Sequence, residues 1–238
     1  MRLWNGWGNE DSDLTMELSD GLRALLEALV GPGTALSQAT LNEVIDKVAN
    51  TRLDDHPLIK TDPETRVRHA RGQSLPDWLE MHSGNVDTFP DGVAFPESSD
   101  QVRDLLVHAK ENNLIVIPYG GGTSVVGHIN PETSDKPVLT IDMGKMNSLL
   151  SIDTESQLAT FGAGTPGPVV EEELKKRGYT LGHFPQSWEL STLGGWVASR
   201  SSGQQSLHYG RIENMFAGGT IETLNGTMTI PTIPASSA

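Results

Sequence analysis

The chain has 238 residues, no cysteine, and a formal net charge of −14 from 31 acidic and 17 basic residues. This length allows one large domain or two small ones with a sizeable core. The acidic balance argues against a nucleic-acid binder, which needs a basic face, so any anionic ligand must be held by backbone amides and a few placed polar groups. The lack of cysteine excludes disulfides, thiolate metal sites and a cysteine nucleophile.

No stretch of the sequence has the features of a targeting or membrane-spanning segment. The start, MRLWNGWGNEDSD, lacks a basic region followed by an apolar one. No apolar run approaches the roughly 20 residues that span a bilayer. We therefore expect a cytoplasmic protein without a transmembrane segment. The sequon Asn225-Gly226-Thr227 is then better explained as a hairpin turn than as a glycan site.

Residues 1–85 are predicted to form a helical N-terminal region. Leucines recur at helical spacing over residues 19–30, and Gly31 followed by a proline ends that helix. A second helix is predicted from Thr40, where Glu43 completes a capping box and the apolar stripe extends to Val48. A short third helix is predicted over residues 77–82, and the two tryptophans of WNGWG are interpreted as packing anchors.

After about residue 86 the pattern alternates between strands and helices. Helices are predicted over residues 98–112 and 166–177. Strands are predicted at residues 92–96, 114–117 and 137–142, in SLLSID and QLATFGAG, and in a closing hairpin within MFAGGTIETLNGTMTI. Because regular βαβ repetition is missing, we expect an α+β domain over residues 86–238.

The most informative segment is IVIPYGGGTSVVGHIN, residues 115–130. Apolar β-branched residues before three glycines are typical of a buried strand that leads into a loop with unusual backbone angles or a close approach. The amides of such a loop can converge on phosphate oxygens, and a tight turn between two strands explains the segment equally well. Two nucleotide motifs are excluded, because Val125 stands where the third glycine of G-x-G-x-x-G is required and no G-K-[ST] occurs.

A second glycine-containing segment is HFPQSWELSTLGGWVASRSSG, residues 183–203. Ser191 and Thr192 before the Leu-Gly-Gly-Trp run predict a capped helix start, whose free N–H groups would favour an anion. Gly194 and Gly195 would let this backbone approach a flat ligand or a neighbouring strand. Two anion-competent segments in one domain are what a dinucleotide lying across it requires, and two ordinary turns are the alternative.

The two segments together, with YGRIENM, resemble the FAD-binding domain of the vanillyl-alcohol oxidase/p-cresol methylhydroxylase (PCMH) type. Within that group, WNGWG, GHFPQSWELST and GGW are most similar to the alkyldihydroxyacetone-phosphate synthases and their bacterial relatives. The D-lactate and glycolate oxidase branch more typically has GGN and NAGG at the corresponding places. The resemblance covers nearly the whole chain and implies a domain of two α+β subdomains that binds FAD.

The resemblance also implies which residues contact FAD. The glycine loop would wrap the pyrophosphate, residues 186–192 would line the ribityl and isoalloxazine region, and residues 199–202 would add a third contact. The implied contact residues are Pro118, Tyr119, Gly120, Gly121, Gly122, Thr123, Ser124, Gln186, Ser187, Glu189, Ser191, Thr192, Ser199, Arg200, Ser201 and Ser202. A valine at Gly121 or Gly122 is then expected to abolish FAD binding and leave the fold largely intact.

Histidines bear on how FAD is held. Some family members attach FAD covalently through a histidine in the glycine loop, but here His128 comes several residues later, so we expect non-covalent FAD. His128, His183 and His208 are predicted to be hydrogen-bonding or surface residues. No metal site is expected.

For function, the resemblance implies exchange of the acyl chain of acyl-dihydroxyacetone phosphate for a long-chain alcohol in ether-lipid synthesis, with no net redox change. The substrate would be a small or lipid-like molecule, and a homodimer is one arrangement of the full-length protein. A later E-G-T-L-G-like segment and the family's substrate domain are not in this sequence, so we expect the N-terminal FAD-binding part of a longer flavoenzyme, inactive alone. The alternatives are an FAD-dependent 2-hydroxyacid dehydrogenase or oxidase and a non-catalytic nucleotide-binding module.

Overall fold

The computed structural model describes residues 2–11 and 17–232, so the predicted C-terminal region lies partly outside the described residues. Its helices are α1 (Asp20–Val30), α2 (Leu41–Ile45), α3 (Pro63–Arg68), α4 (Leu75–Ser83), α5 (Ser99–Glu111), α6 (Gly167–Lys175), α7 (Leu193–Ser199), α8 (Ser206–Tyr209) and α9 (Ile212–Met215). Its strands are β1 (Ile59–Lys60), β2 (Gly92–Ala94), β3 (Ile115–Tyr119), β4 (Val138–Asp142), β5 (Leu149–Asp153), β6 (Leu158–Phe161), β7 (Gly219–Thr223) and β8 (Gly226–Ile230).

A four-stranded sheet in the order β1-β2-β4-β3 carries the glycine loop. Strands β2, β4 and β3 run parallel, and β1 is added antiparallel at the β2 edge. Val93 and Leu139 in the central strands are fully buried, as expected for a parallel sheet covered on both faces. Helix α5 connects β2 to β3, so one βαβ unit is present that the irregular alternation in the sequence did not predict.

The first two predicted helices are confirmed, the second in shortened form. The Ser19 hydroxyl accepts a hydrogen bond from the Leu22 N–H at the start of α1, and Thr40 and Glu43 form the predicted capping box of α2. Helix α2 ends at Ile45, so Val48 packs on the core from the following loop.

The N-terminal region, predicted to be helical and rich in loops, also contains β1 and α3. Asp62 caps α3, with Pro63 in its first turn, and this cap-and-proline signal was available in the sequence. Strand β1 pairs with β2, so the sheet includes residues from both sides of the predicted boundary at residue 85. The boundary itself stays a prediction.

Two hairpins complete the described structure, β5–β6 and β7–β8. Asn225 and Gly226 lie at the turn end of β7–β8, as the hairpin interpretation of the sequon predicts. Glu222 of β7 forms an ion pair with Arg103 of α5, with 3.1 Å between carboxylate Oε2 and Nε, which ties the closing hairpin to the sheet layer. No helix in the described ranges combines the length and apolar character needed to cross a bilayer.

A buried carboxylate fixes the entry to β2. Asp91 accepts hydrogen bonds from the Val138 N–H (2.7 Å) and from Nη2 of Arg52 (2.7 Å), while its own N–H donates to the Val138 carbonyl (2.7 Å). Burial alone would raise the pKa of the Asp91 carboxyl, but the hydrogen bonds and the charge of Arg52 outweigh it and lower the pKa below its usual range.

Candidate functional site

The glycine loop follows β3, at the carboxyl end of the parallel strands. Strand β3 ends at Tyr119, and Gly120 starts the loop. Gly122 has φ +65°, and a Cβ at this position would overlap the buried Tyr119 hydroxyl. Only glycine satisfies both conditions. The carboxyl edge of such strands is where open α/β sheets bind ligands.

The loop carries a row of hydrogen-bond donors without acceptors. From Gly120 to Val125, no backbone N–H donates to any other group in the described part of the chain. Most of these residues are buried or half-buried, and polar backbone groups in such places are nearly always paired. Successive amides of this kind form an anion-binding concavity.

Close packing joins the loop to the second glycine-containing segment. A Cβ at Gly121 would overlap the Leu190 carbonyl oxygen and lie 2.7 Å from the carbonyl carbon, and a Cβ at Gly120 would overlap the Thr192 hydroxyl. The loop glycines are therefore required by the protein's own packing as well as by any ligand. The expectation that valine at Gly121 leaves the fold largely intact is wrong for this reason.

The N–H groups in the first turn of α7 donate hydrogen bonds to other groups of the protein. The Leu193 N–H donates to the Thr165 carbonyl (2.9 Å) and the Gly194 N–H donates to the Ala163 carbonyl (2.8 Å). The Gly195 N–H reaches the capping hydroxyl of Thr192 at 3.4 Å. The predicted free N–H groups of this helix start are thus occupied, and Gly194 serves close backbone packing, since its Cβ would lie 2.7 Å from the Ala163 oxygen.

A cleft of about 350 Å³ opens beside the glycine loop. Of the residues predicted to contact FAD, it is lined by Tyr119, Gly120 and Thr192. Leu190 also lines it, within the predicted 186–192 segment. The rest of the lining comes from four other parts of the chain that the sequence analysis did not assign to the cofactor: Arg2, Leu3, Trp4, Val67, Arg68, His69, Arg71, Gln73, Met81, Asp142, Gly144, Asn147, Gly164 and Pro166. A second depression, beside β1, is lined by Asp55, His56, Pro57, Ile59 and Thr61 and contains no glycine-loop residue.

The polar floor of the cleft is linked by hydrogen bonds. The His69 ring lies between the Thr65 carbonyl (Nδ1, 2.7 Å) and the Asp142 carboxylate (Nε2, 3.0 Å). Asp142 also accepts from the Gly144 N–H at 2.7 Å. Tyr119 packs beside the His69 ring, with ring centroids 4.7 Å apart. Asp142 is the last residue of β4 and Gly144 follows it, and an acidic residue and a glycine at the end of a buried strand are a signal that could have indicated this edge.

The other predicted contact residues do not line the cleft themselves. Ser191 accepts a hydrogen bond from the Trp196 indole (2.7 Å), Arg200 pairs with Glu213 (3.2 Å), and Ser124 contacts the His128 ring (3.2 Å). Pro118, Gln186, Glu189, Ser199 and Ser202 are exposed, and Gly121, Gly122, Thr123, Ser187 and Ser201 are buried or half-buried. Their contacts with FAD stay predictions.

The three histidines singled out in the sequence have different surroundings. His183 is buried against Trp196, its Nε2 lies 3.1 Å from the Ser201 hydroxyl, and burial lowers the pKa of its ring. Its Nδ1 has no hydrogen-bond partner among the described residues. His128 hydrogen-bonds Ser124, and His208 is exposed and packs on Tyr209, in agreement with the predicted bonding and surface roles.

Comparison with known proteins places this arrangement in a family. The model of a family described as "FAD binding domain" matches residues 90–230, which is more than half of the chain. The chain belongs to this FAD-binding domain family. Its cofactor is FAD, and the mixed helix-and-sheet fold of PCMH type that the sequence predicts is confirmed.

Individual relatives agree with the family match. Alkyldihydroxyacetonephosphate synthase of Dictyostelium discoideum is 40% identical over 175 residues, covering 71% of this chain and 29% of the relative. The FAD-linked oxidoreductase YgcU of Escherichia coli K12 is 31% identical over 207 residues, which cover 86% of this chain and 41% of the relative. A more distant match is D-lactate dehydrogenase [cytochrome] 1 of Saccharomyces cerevisiae, which is 28% identical over 152 residues. The matched residues cover 63% of this chain and 25% of the relative.

Among solved structures, an alkyldihydroxyacetonephosphate synthase superposes with a TM-score of 0.82 at 31% identity, covering 97% of this chain and 49% of that one. The chain therefore spans half or less of the length of these relatives.

The residues present fit FAD. Its pyrophosphate is an anion with several acceptor oxygens, and the loop from Gly120 to Val125 offers unpaired N–H donors beside the cleft. The Thr192 hydroxyl occupies the space of a Cβ at Gly120, so Thr192 and the first loop residue form this wall of the cleft together. Burial raises the pKa of Tyr119 to about 12, so this ring stays neutral and adds no negative charge next to a phosphate.

Proposed function

We propose that the chain is the FAD-binding part of a flavoenzyme that acts like the alkyldihydroxyacetonephosphate synthases. In the proposed reaction, the acyl chain of an acyl-dihydroxyacetone phosphate is exchanged for a long-chain alcohol. The observation that carries the proposal is the row of loop amides that starts at Gly120 in the cleft wall and has no acceptor among the described residues, in a chain that is 40% identical over 175 residues to such a synthase. The full reaction needs residues beyond this chain's share of the relatives' length.

The roles proposed for this chain's residues are binding and orientation. The amides of the 120–125 loop hold the pyrophosphate, with the Thr123 and Ser124 hydroxyls beside them, and residues 186–192 and 199–202 contact the rest of the cofactor. Bound FAD supplies the reactive isoalloxazine ring. The cofactor is held without a covalent bond, because no histidine lies within the 118–124 stretch. The homodimer and the cytoplasmic location stay predictions.

A second candidate is an FAD-dependent 2-hydroxyacid dehydrogenase or oxidase on the same scaffold. The match to a D-lactate dehydrogenase favours it, at lower identity than the match to the synthase. The sequence favours the synthase, since GGW and SRSSG stand where the hydroxyacid branch typically has GGN and NAGG.

Anaerobic spectroscopy separates these two candidates. In the FAD-loaded full-length protein under nitrogen, D-lactate and glycolate are expected to leave the oxidised flavin absorbance unchanged, because a non-redox exchange enzyme takes no hydride from them. An acyl-dihydroxyacetone phosphate is expected to perturb the flavin spectrum, with the long-chain alcohol alone as the control. Rapid bleaching by D-lactate would overturn the synthase proposal, and no response to any substrate would favour a non-catalytic nucleotide-binding module.

A further inference from the structure

The N-terminal segment, residues 2–9, forms part of the cleft wall. It closes on itself through the Arg2–Asn9 bridge and a hydrogen bond from the Leu3 N–H to the Gly8 carbonyl (3.0 Å). Trp4 packs against the buried cluster of Val44, Val67, Ala70, Met81 and Val86. The segment is therefore fixed in place, and its first residues line the same cleft as Gly120.

Three arginines line the cleft, and two of them are neutralised. Arg68 pairs with Glu64 (2.9 Å) and Glu10 (3.4 Å), and its Nη1 donates to the Arg2 carbonyl at 2.8 Å. The buried Arg71 pairs with two carboxylates, those of Glu80 (2.6 Å) and Asp87 (3.3 Å). The positive charge of each of these two guanidinium groups is therefore compensated by carboxylates of the protein.

Arg2 is different, because its guanidinium has no carboxylate partner among the described residues. Its backbone carbonyl accepts a hydrogen bond from Arg68, but no described carboxylate forms an ion pair with its side chain. Arg2 lines the same cleft as Tyr119 and Gly120. Burial raises the pKa of the Tyr119 hydroxyl, the positive charge of Arg2 acts against that rise, and the Asp142 carboxylate of the cleft floor adds to it. A cation without an ion pair to any described carboxylate therefore lines the cleft together with the first residue of the glycine loop, in a chain with a net charge of −14.

We propose that Arg2 binds the phosphate groups of FAD together with the loop amides, and this inference rests on the proposed function. A strongly acidic chain repels a pyrophosphate, and a guanidinium next to neutral N–H donors offsets that repulsion. Arginine suits this role because its planar fork binds two phosphate oxygens at once. The N-terminal segment is then a cofactor-binding element as well as a packing anchor.

The test compares Arg2→Met and Arg2→Lys in the full-length protein, with Arg23→Met on the exposed face of α1 as the matched control. Affinities for FAD and for riboflavin, which has no phosphate, are measured by quenching of flavin fluorescence. Arg2→Met is expected to weaken FAD binding by about tenfold or more, the scale of one charge-assisted hydrogen bond. Riboflavin binding should be unchanged, Arg2→Lys should stay within about threefold of wild type, and Arg23→Met should match wild type.

Two results would overturn the inference and leave the proposed function standing. One is an Arg2→Met protein that binds FAD as tightly as wild type. The other is an Arg2→Met protein that loses FAD and riboflavin affinity equally, which would assign Arg2 a structural role. A wild-type protein that binds neither flavin would overturn both the inference and the proposed function.

Discussion

Replacing Gly121 by alanine is expected to abolish FAD binding and to destabilise the fold together. The new Cβ would overlap the Leu190 carbonyl oxygen and lie 2.8 Å from the Ser191 Cα, and these backbone atoms cannot rotate away as a flexible side chain could. Overpacking of this kind costs about 1–3 kcal/mol of unfolding free energy. Relief requires the loop to separate from the 190–192 segment, which moves the unpaired amides away from the cleft. Denaturant unfolding and FAD titration of the same protein measure both effects.

The matched control is Gly33→Ala. Nothing lies within 4 Å of a Cβ at Gly33, and its φ is not positive, so this substitution is expected to leave stability unchanged or raise it by up to about 1 kcal/mol. FAD affinity should stay at the wild-type value. A Gly121→Ala protein with wild-type stability and wild-type FAD affinity would show that the two glycine-containing segments do not pack as described.

Removing the carboxylate of Asp91 is expected to lower the unfolding free energy by about 1–3 kcal/mol, the usual cost of leaving a buried hydrogen-bond donor without its acceptor. Asp91→Ala leaves the buried Val138 N–H without its acceptor, at the point where β2 joins β4. The half-exposed Arg52 loses its carboxylate partner and keeps the Ser134 and Lys136 carbonyls.

Asp87→Ala is the control, because its carboxylate is 87% exposed and Arg71 keeps its shorter ion pair with Glu80 when Asp87 is removed. A surface pair of that kind contributes at most about 1 kcal/mol. An equal loss of unfolding free energy in the two variants would contradict the anchoring role of Asp91.

Because of the Asp91 carboxylate, the unfolding free energy is expected to fall when the pH is lowered. The pKa of Asp91 is lower in the folded state than its usual value near 4, so the folded protein binds a proton less readily than the unfolded chain. Its stabilising contribution is therefore present above about pH 4 and is lost as the pH falls through the folded-state pKa. Asp91→Asn should remove this part of the acid sensitivity, which unfolding curves recorded across that range would show.

Local signals predicted much of the fold. The Ser19 hydroxyl and Gly31 bound α1, the Thr40–Glu43 capping box starts α2, and Asn225-Gly226 turns the last hairpin, each where the sequence predicts it. These features depend on residues within a few positions of each other. Strand β1 was missed because two residues form a strand only when a sheet edge is available, and that edge is supplied by β2, more than thirty residues later.

The candidate site was predicted less completely, for a related reason. The sequence shows that three glycines follow a strand, but it does not show that Gly121 lies against Leu190 or that Ala163 and Thr165 occupy the N–H groups of α7. Those partners are distant in sequence. Arg2 had no signal at all, because a lone arginine near a terminus becomes informative only when its neighbours in the cleft are seen to be paired.

The central claim is that the folded protein binds FAD through the unpaired loop amides, and a melting experiment with added FAD tests it most directly. The full-length protein is titrated with FAD, the dissociation constant is taken from the quenching of flavin fluorescence, and the unfolding transition is recorded at each concentration. A ligand that binds only the folded state stabilises it by ~2.7 kcal/mol at about 100 times its dissociation constant. We expect that stabilisation and a clear rise in Tm for the wild type and for Gly33→Ala, and none for Gly121→Ala. A wild-type protein whose Tm does not move at saturating FAD, or a Gly121→Ala protein that responds as fully as wild type, would contradict the account.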